Sequence, residues 1–575
     1  MSATKRSSRA PALSGAGRAV GGANVVDLAE GRARAIVVAL TLLAAALRLA
    51  RLDLSPPGLN QDEALSAWTA WCLLKTGRDL VGQAWPIFYS HGIGDNPSML
   101  FFYTLLPFQW VFGLSVWTTR LPGALAGIAC IPLVFYVGAR LFGRWTGVVA
   151  AAILATNPWH LFVSRFGVGA SQCPLYALAP LALLLAARLP LDDGAARPPR
   201  ALPALAAGLV AGLSCYGFHP MRLYFPGFFV ALVACDPRAW RDTLRDRRGL
   251  WAILLLALGF AVTFGPLAWM HVVDPAIAQR WQMTRLWDPG DPLPRIVGLV
   301  AGRWFEHFLP DFLFVTGDRF DIVKPIGQGE WGWHLLPCML AGLGFAFARV
   351  RRSRAARVLL ALLVVYPLGD VVSRYISVHA LRSAPGLPTL ALLAAFGAVA
   401  LVQALARRGR PPALGAAGLL VLGALFFETR FLVRYFGEYN RRPEIYSEYH
   451  VDLMEACRRL RPRLDRLDAV FVTTRELNEP FAVTLVALDW DPRRWFREPR
   501  DIRSAGEWDV GVQYGKMHFL YADWAKPAVE ALEANGRDDH VWFIVRPHEL
   551  GLDHPDQVIR APDGHESLWI CERVL

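Results

Sequence analysis

The sequence predicts a polytopic α-helical membrane protein of about eleven spans, with a small extracytoplasmic α/β region at its C-terminal end. Three observations carry this. Of 575 residues, 54% are hydrophobic and only 19% are charged, whereas a soluble chain carries about a quarter charged residues. The apolar residues arrive in repeated blocks of roughly 15 to 22, a length suited to membrane helices. The arginines gather in short clusters between those blocks, as orientation signals do.

Residues 1–34 are rich in Ser, Ala, Gly and Arg and are expected to form a disordered cytoplasmic tail. Apolar blocks follow near 35–50, 119–139, 145–157, 172–189, 202–218, 221–235, 250–270, 331–348, 356–372, 384–405 and 412–428. The run at 35–50 lacks a small-residue cleavage site and reads as an uncleaved first helix. Basic clusters occupy the tail, Arg140/Arg144, Arg188–Arg200, Arg238–Arg248, Arg349–Arg357 and Arg407–Arg410, which is every second connection. The positive-inside rule places these in the cytoplasm. The transmembrane domain then covers 35–428, with outer loops 51–118 and 271–330. Within the first loop, SMLFFYTLLPFQWVF (98–112) reads as an interfacial helix. Residues 429–575 change character. DAVFVTT (468–474) and DHVWFIV (539–545) read as buried strands, and 443–460 and 524–536 as amphipathic helices.

The formal net charge is +12. Its clustering between apolar blocks, with no basic stripe interleaved with aromatics, argues against nucleic acid. The eight cysteines form no CxxC pair and no metal-ligand spacing, so no metal site is expected. Walker A, HExxH and GxSxG motifs are absent. Gly123 and Gly127 form a GxxxG, read as helix packing.

The chemistry-bearing residues collect in the outer connections. SPPGLNQDEALSAW (55–68) places Asp62 and Glu63 just beyond the first span. Asn60 with Glu63 three residues later forms a capping box, and acids in a first helical turn also suit the helix dipole. Both acids are catalytic candidates: Glu63 chiefly caps, whereas Asp62 is the residue available to act. Further outer groups are Asp95, Arg120, Arg165, Arg222, Asp318, Lys324, His379 and Arg382. Arginine outside the membrane runs against the positive-inside bias. A polyanionic head group would account for it, as would snorkelling or pairing with nearby acids.

The ordered series DE after the first span, LLKTGRDLVGQAWPIFY, GD before an interfacial helix, TRLPGAL, NPWHLFVSRFG, FLFVTGD and HALRS resembles a known family. It is similar to bacterial membrane glycosyltransferases related to protein O-mannosyltransferases and aminoarabinose transferases, family 39-like members of the glycosyltransferase C superfold. The likeness covers about residues 36 to 430. It implies an inverting transferase that moves a sugar from a polyprenyl phosphate to an acceptor hydroxyl on the outer face of a bacterial inner membrane. Asp62 matches the family's general base. Arg165, Arg222, His379 and Arg382 become candidates for the donor phosphate, and Asp95, Arg120, Asp318 and Lys324 for the substrate cavity. The resemblance implies no cofactor and no catalytic metal. The implied partners are the lipid-linked sugar, membrane lipid and an acceptor of unspecified class (protein, lipid or glycan). The sequence departs from many relatives after Arg165, where Phe166 to Ser171 include no acid. Two further readings stand beside this one: a non-catalytic polyprenyl-phosphate-sugar binding protein, which the missing acid would suit, and a transporter of lipid-linked sugars. A transporter places ionisable groups near mid-span, whereas here they sit at the outer ends.

Overall fold

A computed structural model of the chain describes residues 19–90, 97–194, 197–320, 322, 324–505, 508–521, 530 and 538–575. Helix α1 (Ala19–Leu49) is followed by α2 (Gln61–Thr76), α3 (Leu100–Phe112), α4 (Val116–Phe142), α5 (Arg144–Thr156) and α6 (Pro158–Ser164). Then come α7 (Cys173–Ala186), α8 (Ala201–Ser214), α9 (Met221–Cys235), α10 (Pro237–Arg245) and α11 (Arg247–Val273). The segment 271–330, expected as a loop, carries α12 (Gln279–Thr284) and α13 (Leu293–Glu306). Helices α14 (Leu336–Arg349), α15 (Arg354–Val365), α16 (Ala380–Ser383), α17 (Leu387–Ala406) and α18 (Arg410–Gly437) complete the bundle.

Every predicted apolar block falls on a helix. Among the described residues, five helices are long and apolar enough to cross a membrane, or six if α5 and α6 are one span bent by 60°. The bend has a local cause. Pro158 brings no N–H to the helix ladder, and the Asn157 side chain instead accepts the His160 N–H at 2.9 Å. Helices α8, α9, α14 and α15 have 14, 15, 14 and 12 residues, so each rises only about 18–23 Å. Close contact between α8 and α11 depends on Gly208 and Gly259, where a Cβ would meet the carbonyls of Leu256 and Leu205 on the facing helix. The expected disordered tail needs correction. Residues 1–18 lie outside the described residues, but α1 begins at Ala19. A helix nucleated by its apolar half propagates into flanking residues at little cost.

The two ends of the bundle differ in kind. Arg140 bonds Asp192 at 2.7 Å, Asp193 accepts the Arg354 N–H at 2.7 Å, and Asp236 pairs with Arg354 and Arg357. These basic connections therefore meet at one end. The loops holding Asp62, Asp318 and His379 meet at the other, as described below.

The C-terminal region contains a seven-stranded mixed sheet ordered β2-β3-β4-β1-β5-β7-β6. Helices α19 (Pro443–Glu448) and α20 (Val451–Leu460) lead into strand β1 (Ala469–Thr473), which is buried throughout. After α21 (Pro480–Ala487) and α22 (Pro492–Arg497) come β2 (Arg500–Ala505), β3 (Trp508–Tyr514), β4 (Met517–Leu520), β5 (His540–Val545), β6 (Gln557–Arg560) and β7 (Glu566–Val574). Strand β1 runs parallel to β4 and β5, and the other pairings are antiparallel. The single helix expected over 443–460 is two, broken at Tyr449–His450, where His450 takes φ 49°. The helix expected at 524–536 lies outside the described residues, apart from Glu530.

Helix α2 comes from the connection between α1 and α4, far from the sheet in sequence, yet it packs with this sheet. Leu65, Trp68 and Cys72 share one hydrophobic core with Leu453, Val470, Val472, Phe481 and Trp542. The Trp495 indole donates to the Leu80 carbonyl at 2.8 Å. The helix carrying the acid pair is thereby seated in the C-terminal sheet unit.

Candidate active site

The α2 N-terminus forms as its four residues dictate. Asn60 is extended, its Oδ1 accepts the Asp62 N–H at 3.1 Å, and its own N–H donates to Glu63 Oε2 at 3.2 Å. Gly77 ends the helix at φ 70°, a conformation that glycine adopts without penalty. Glu63 does more than cap. It is fully buried and receives Arg120 Nε on Oε1 and Nη2 on Oε2, both at 2.7 Å, with the Gly167 N–H at 2.8 Å. The remaining Arg120 donors reach the carbonyls of Leu52 (3.1 Å), Pro56 (2.7 Å) and Gly58 (2.9 Å). The assignment of Arg120 to the substrate cavity is therefore corrected: it is buried and ties α4 to the 52–58 turn. Successive helix residues point about 100° apart, so Asp62, next to buried Glu63, is exposed.

Arg165 is also reassigned. It is buried, and its guanidinium donates to the carbonyls of Leu47 (2.8 Å), Arg48 (2.8 Å), Arg51 (3.0 Å) and Ser55 (2.6 Å) and to the Tyr435 hydroxyl (3.1 Å). The last turn of a helix leaves carbonyls without intrahelical partners. Arg165 satisfies two of those of α1, at Leu47 and Arg48, and two carbonyls of the turn beyond it, which occupies the donors that a phosphate would need.

A second group of polar residues comes from 307–330 and 370–383. His379 Nδ1 lies 3.1 Å from Asp318 Oδ2, and that oxygen also accepts the Ala380 N–H at 2.7 Å. Asp318 Oδ1 accepts the Phe320 N–H at 2.9 Å. Asp370 accepts the His379 N–H at 3.1 Å and lies 3.5 Å from His307 Nε2 and 4.0 Å from Arg382 Nη1. Beneath them the buried Glu330 accepts the Asp318 N–H at 3.1 Å. Burial, reinforced by the Asp318 charge, pushes the Glu330 carboxyl well above the usual carboxylate range. The Tyr375 ring stacks on His379 at 4.5 Å and lies 5.6 Å from the Arg382 guanidinium. The side chains of His379 and Arg382 are 14% and 13% exposed, against 0% for Asp318 and Asp370. Asp318 is accordingly buried behind His379 and not exposed in the cavity where the sequence places it, which is a correction. Lys324 is half-buried, and its charge acts on Glu330. Arg222 is half-buried at the start of α9, donating to Ser98 Oγ at 2.9 Å and lying 3.3 Å from His271 Nε2. Asp95 lies outside the described residues.

A wall of tyrosines joins the two groups. The hydroxyls of Tyr439 and Tyr449 both donate to the Ile322 carbonyl, at 3.1 and 3.3 Å. The Tyr435 hydroxyl donates to Ser55 O at 3.1 Å, and the Leu59 N–H to Tyr449 O at 2.9 Å. Segment 435–450 thus ties the turn before Asp62 to the loop that carries Asp318. From sequence, residues 443–450 are expected only as part of an amphipathic helix, and neither this segment nor His307 and Glu330 is assigned to the site. The segment's signal was the aromatic run YFGEYN…EIYSEYH directly after the last apolar block. A shallow groove of about 490 Å³, lined by Val433, Gly437, Glu438, Arg441, Arg442 and Pro443, holds none of the predicted site residues.

Residues 95–269 match the family model described as dolichyl-phosphate-mannose-protein mannosyltransferase. No curated protein matches the chain by sequence. Among solved structures, the chain is similar to ArnT from Cupriavidus metallidurans bound to undecaprenyl phosphate, with a TM-score of 0.52 and 12% identity over 93% of this chain and 97% of that one. The apo form of ArnT matches with a TM-score of 0.51 and 14% identity over 94% and 98%. The Archaeoglobus fulgidus oligosaccharyltransferase tethered to an acceptor peptide is a weaker likeness, with a TM-score of 0.48 and 13% identity over 79% of this chain and 63% of that one.

Proposed function

We propose that the chain is a multi-pass membrane glycosyltransferase of the C superfold, a reading supported by the family match over residues 95–269 and by the fold, and that it moves a sugar from a polyprenyl-phosphate donor to an acceptor hydroxyl, with inversion, at the outer face of a bacterial inner membrane. The observation that carries this reading is the division between two neighbouring acids. Glu63 is buried and fully bonded, while Asp62, one residue nearer the helix N-terminus, is exposed. Asp62 is the general base. A helix N-terminus favours the ionised carboxylate, which takes the acceptor proton as the oxygen attacks the anomeric carbon. The bond from that carbon to the phosphate oxygen breaks, and charge grows on the leaving phosphate. The Arg382 guanidinium, with that of Arg222, is suited to receive it, and the His379 imidazole offers a further ring nitrogen beside Arg382. The bound undecaprenyl phosphate of the ArnT structure supports a lipid-phosphate donor.

The same reading keeps eleven spans, with an N-terminus on the cytoplasmic side and the sheet unit outside. The pairing of basic connections at one end of the bundle supports that alternation.

The test is a transfer assay on the purified protein in lipid nanodiscs with a panel of polyprenyl-phosphate sugars, following release of polyprenyl phosphate. Release from one donor that is lost in Asp62→Asn is the expected result. Release that persists unchanged in Asp62→Asn would remove the base, and no release from any donor would overturn the reading.

A further inference from the structure

Glu448, the last residue of α19, stands where the two halves of the site meet. Its backbone carbonyl accepts from Asn60 Nδ2 at 3.3 Å, while Oδ1 of the same Asn60 accepts the Asp62 N–H at 3.1 Å. One amide side chain therefore bridges the backbones of the two acids. On the other side, the hydroxyl of the next residue, Tyr449, donates at 3.3 Å to the Ile322 carbonyl, in the loop whose Asp318 carboxylate lies 3.1 Å from His379 Nδ1. Glu448 thus sits in the segment that joins the cap of the proposed base to the loop behind His379. Its backbone is held in place, because the next two residues bind Leu59: Tyr449 O accepts its N–H at 2.9 Å, and His450 Nδ1 lies 3.2 Å from its carbonyl. The half-buried carboxylate has no hydrogen-bond or ion-pair partner among the described residues, and burial raises its pKa. A partly desolvated acid held without a partner is costly to stability, which is the expected cost of a group kept open for a ligand.

We propose that the Glu448 carboxylate accepts hydrogen bonds from substrate hydroxyl groups at the point of transfer, between Asp62 and the His379–Arg382 pair. This rests on the glycosyltransferase reading above. The hydroxyls belong to the transferred sugar or to the acceptor, and the carboxylate chemistry is the same for both. A hydrogen bond to a charged group contributes enough that its loss costs about 10- to 100-fold in rate.

The experiment compares the full-length protein with Glu448→Gln in nanodiscs. Undecaprenyl-phosphate and dolichyl-phosphate sugars serve as donors, and sugar-free undecaprenyl phosphate serves as the binding probe. Transfer is expected to fall about 10- to 100-fold, with affinity for undecaprenyl phosphate and the thermal unfolding midpoint unchanged. Release of lipid phosphate to water without acceptor distinguishes the sources: it falls in parallel if Glu448 holds the sugar, and stays if it holds the acceptor. Wild-type transfer by Glu448→Gln would overturn the proposal and leave the enzyme reading intact. So would equal loss of undecaprenyl phosphate binding, which would make the residue structural. A wild-type protein that binds undecaprenyl phosphate but releases none from any donor would overturn the enzyme reading and this role with it. Should Glu448→Gln fail to fold, Glu448→Asp keeps the charge one methylene short. It is then expected to transfer with a raised KM, and wild-type kinetics would refute the role.

Discussion

Asp62 and Glu63 are adjacent and chemically alike, so neutralising each in turn separates catalysis from architecture. Glu63→Gln keeps one acceptor oxygen but turns an amide NH2 toward donors. Two charged bonds to Arg120 are lost as a pair, and the bonds from Asn60 and Gly167 compete for the remaining oxygen. Arg120 stays buried with only three carbonyls around it. Breaking a buried ion pair on one side costs about 3–5 kcal/mol, and the retained oxygen argues for the lower end. About 3 kcal/mol shifts the folding equilibrium by roughly two decades. Asp62→Asn alters an exposed side chain and is expected to stay within about 0.5 kcal/mol of the parent. Fluorescence-monitored unfolding in nanodiscs, beside lipid-phosphate release per folded molecule, reads both effects. The expected pattern is Glu63→Gln destabilised, and Asp62→Asn stable but inactive. Parental stability in Glu63→Gln would refute the structural account of the Arg120 pair. An Asp62→Asn protein as unstable as Glu63→Gln would show that Asp62 belongs to the scaffold.

Three other outcomes follow from the same geometry. Arg165→Lys is expected to destabilise the protein by about 3 kcal/mol or more, because one ammonium cannot serve carbonyls spread over Leu47 to Ser55; undecaprenyl phosphate affinity of the folded fraction should not change, as a binding titration would show. Arg382→Ala is expected to weaken undecaprenyl phosphate binding about tenfold or more with little change in unfolding midpoint, and unchanged affinity would remove it from the phosphate site. Glu330 is a carboxyl with a raised folded-state pKa, so its stabilising contribution is present below the unfolded value of about 4.3 and declines as pH rises above it. Glu330→Gln keeps an acceptor for the Asp318 N–H, and its unfolding midpoint should fall less between pH 5 and 8 than the parent's; parallel curves would show that Glu330 does not titrate in this way.

Local interactions were legible in the sequence, whereas long-range ones with the backbone were not. The capping box needs only Asn60 to Glu63, and the structure forms it as spaced. The apolar blocks announced where helices lie, because helical hydrophobicity is a property of contiguous residues. Arg120 and Arg165 were misplaced for a common reason. Their acceptors are carbonyls 62–68 and 110–118 positions away or the Glu63 carboxylate 57 positions away, and carbonyls carry no sequence signature. An arginine satisfied by a helix end reads the same on paper as one awaiting a phosphate. Strands β1 and β5 stand out as apolar runs, but β2, with sequence RDIRSA, offers no alternation to find. Only its antiparallel register with β3 makes it a strand.

The seating of α2 in the sheet core has a consequence for engineering. Exchanging the C-terminal region alone with that of a relative would leave Leu65, Trp68 and Cys72 facing a foreign surface, and the acid pair would lose the platform that orients it. A working chimera has to carry residues 59–80 along with the segment after α18. The unit of exchange is discontinuous in sequence although its two parts share one core, so the orientation of the acid pair would be inherited with the sheet.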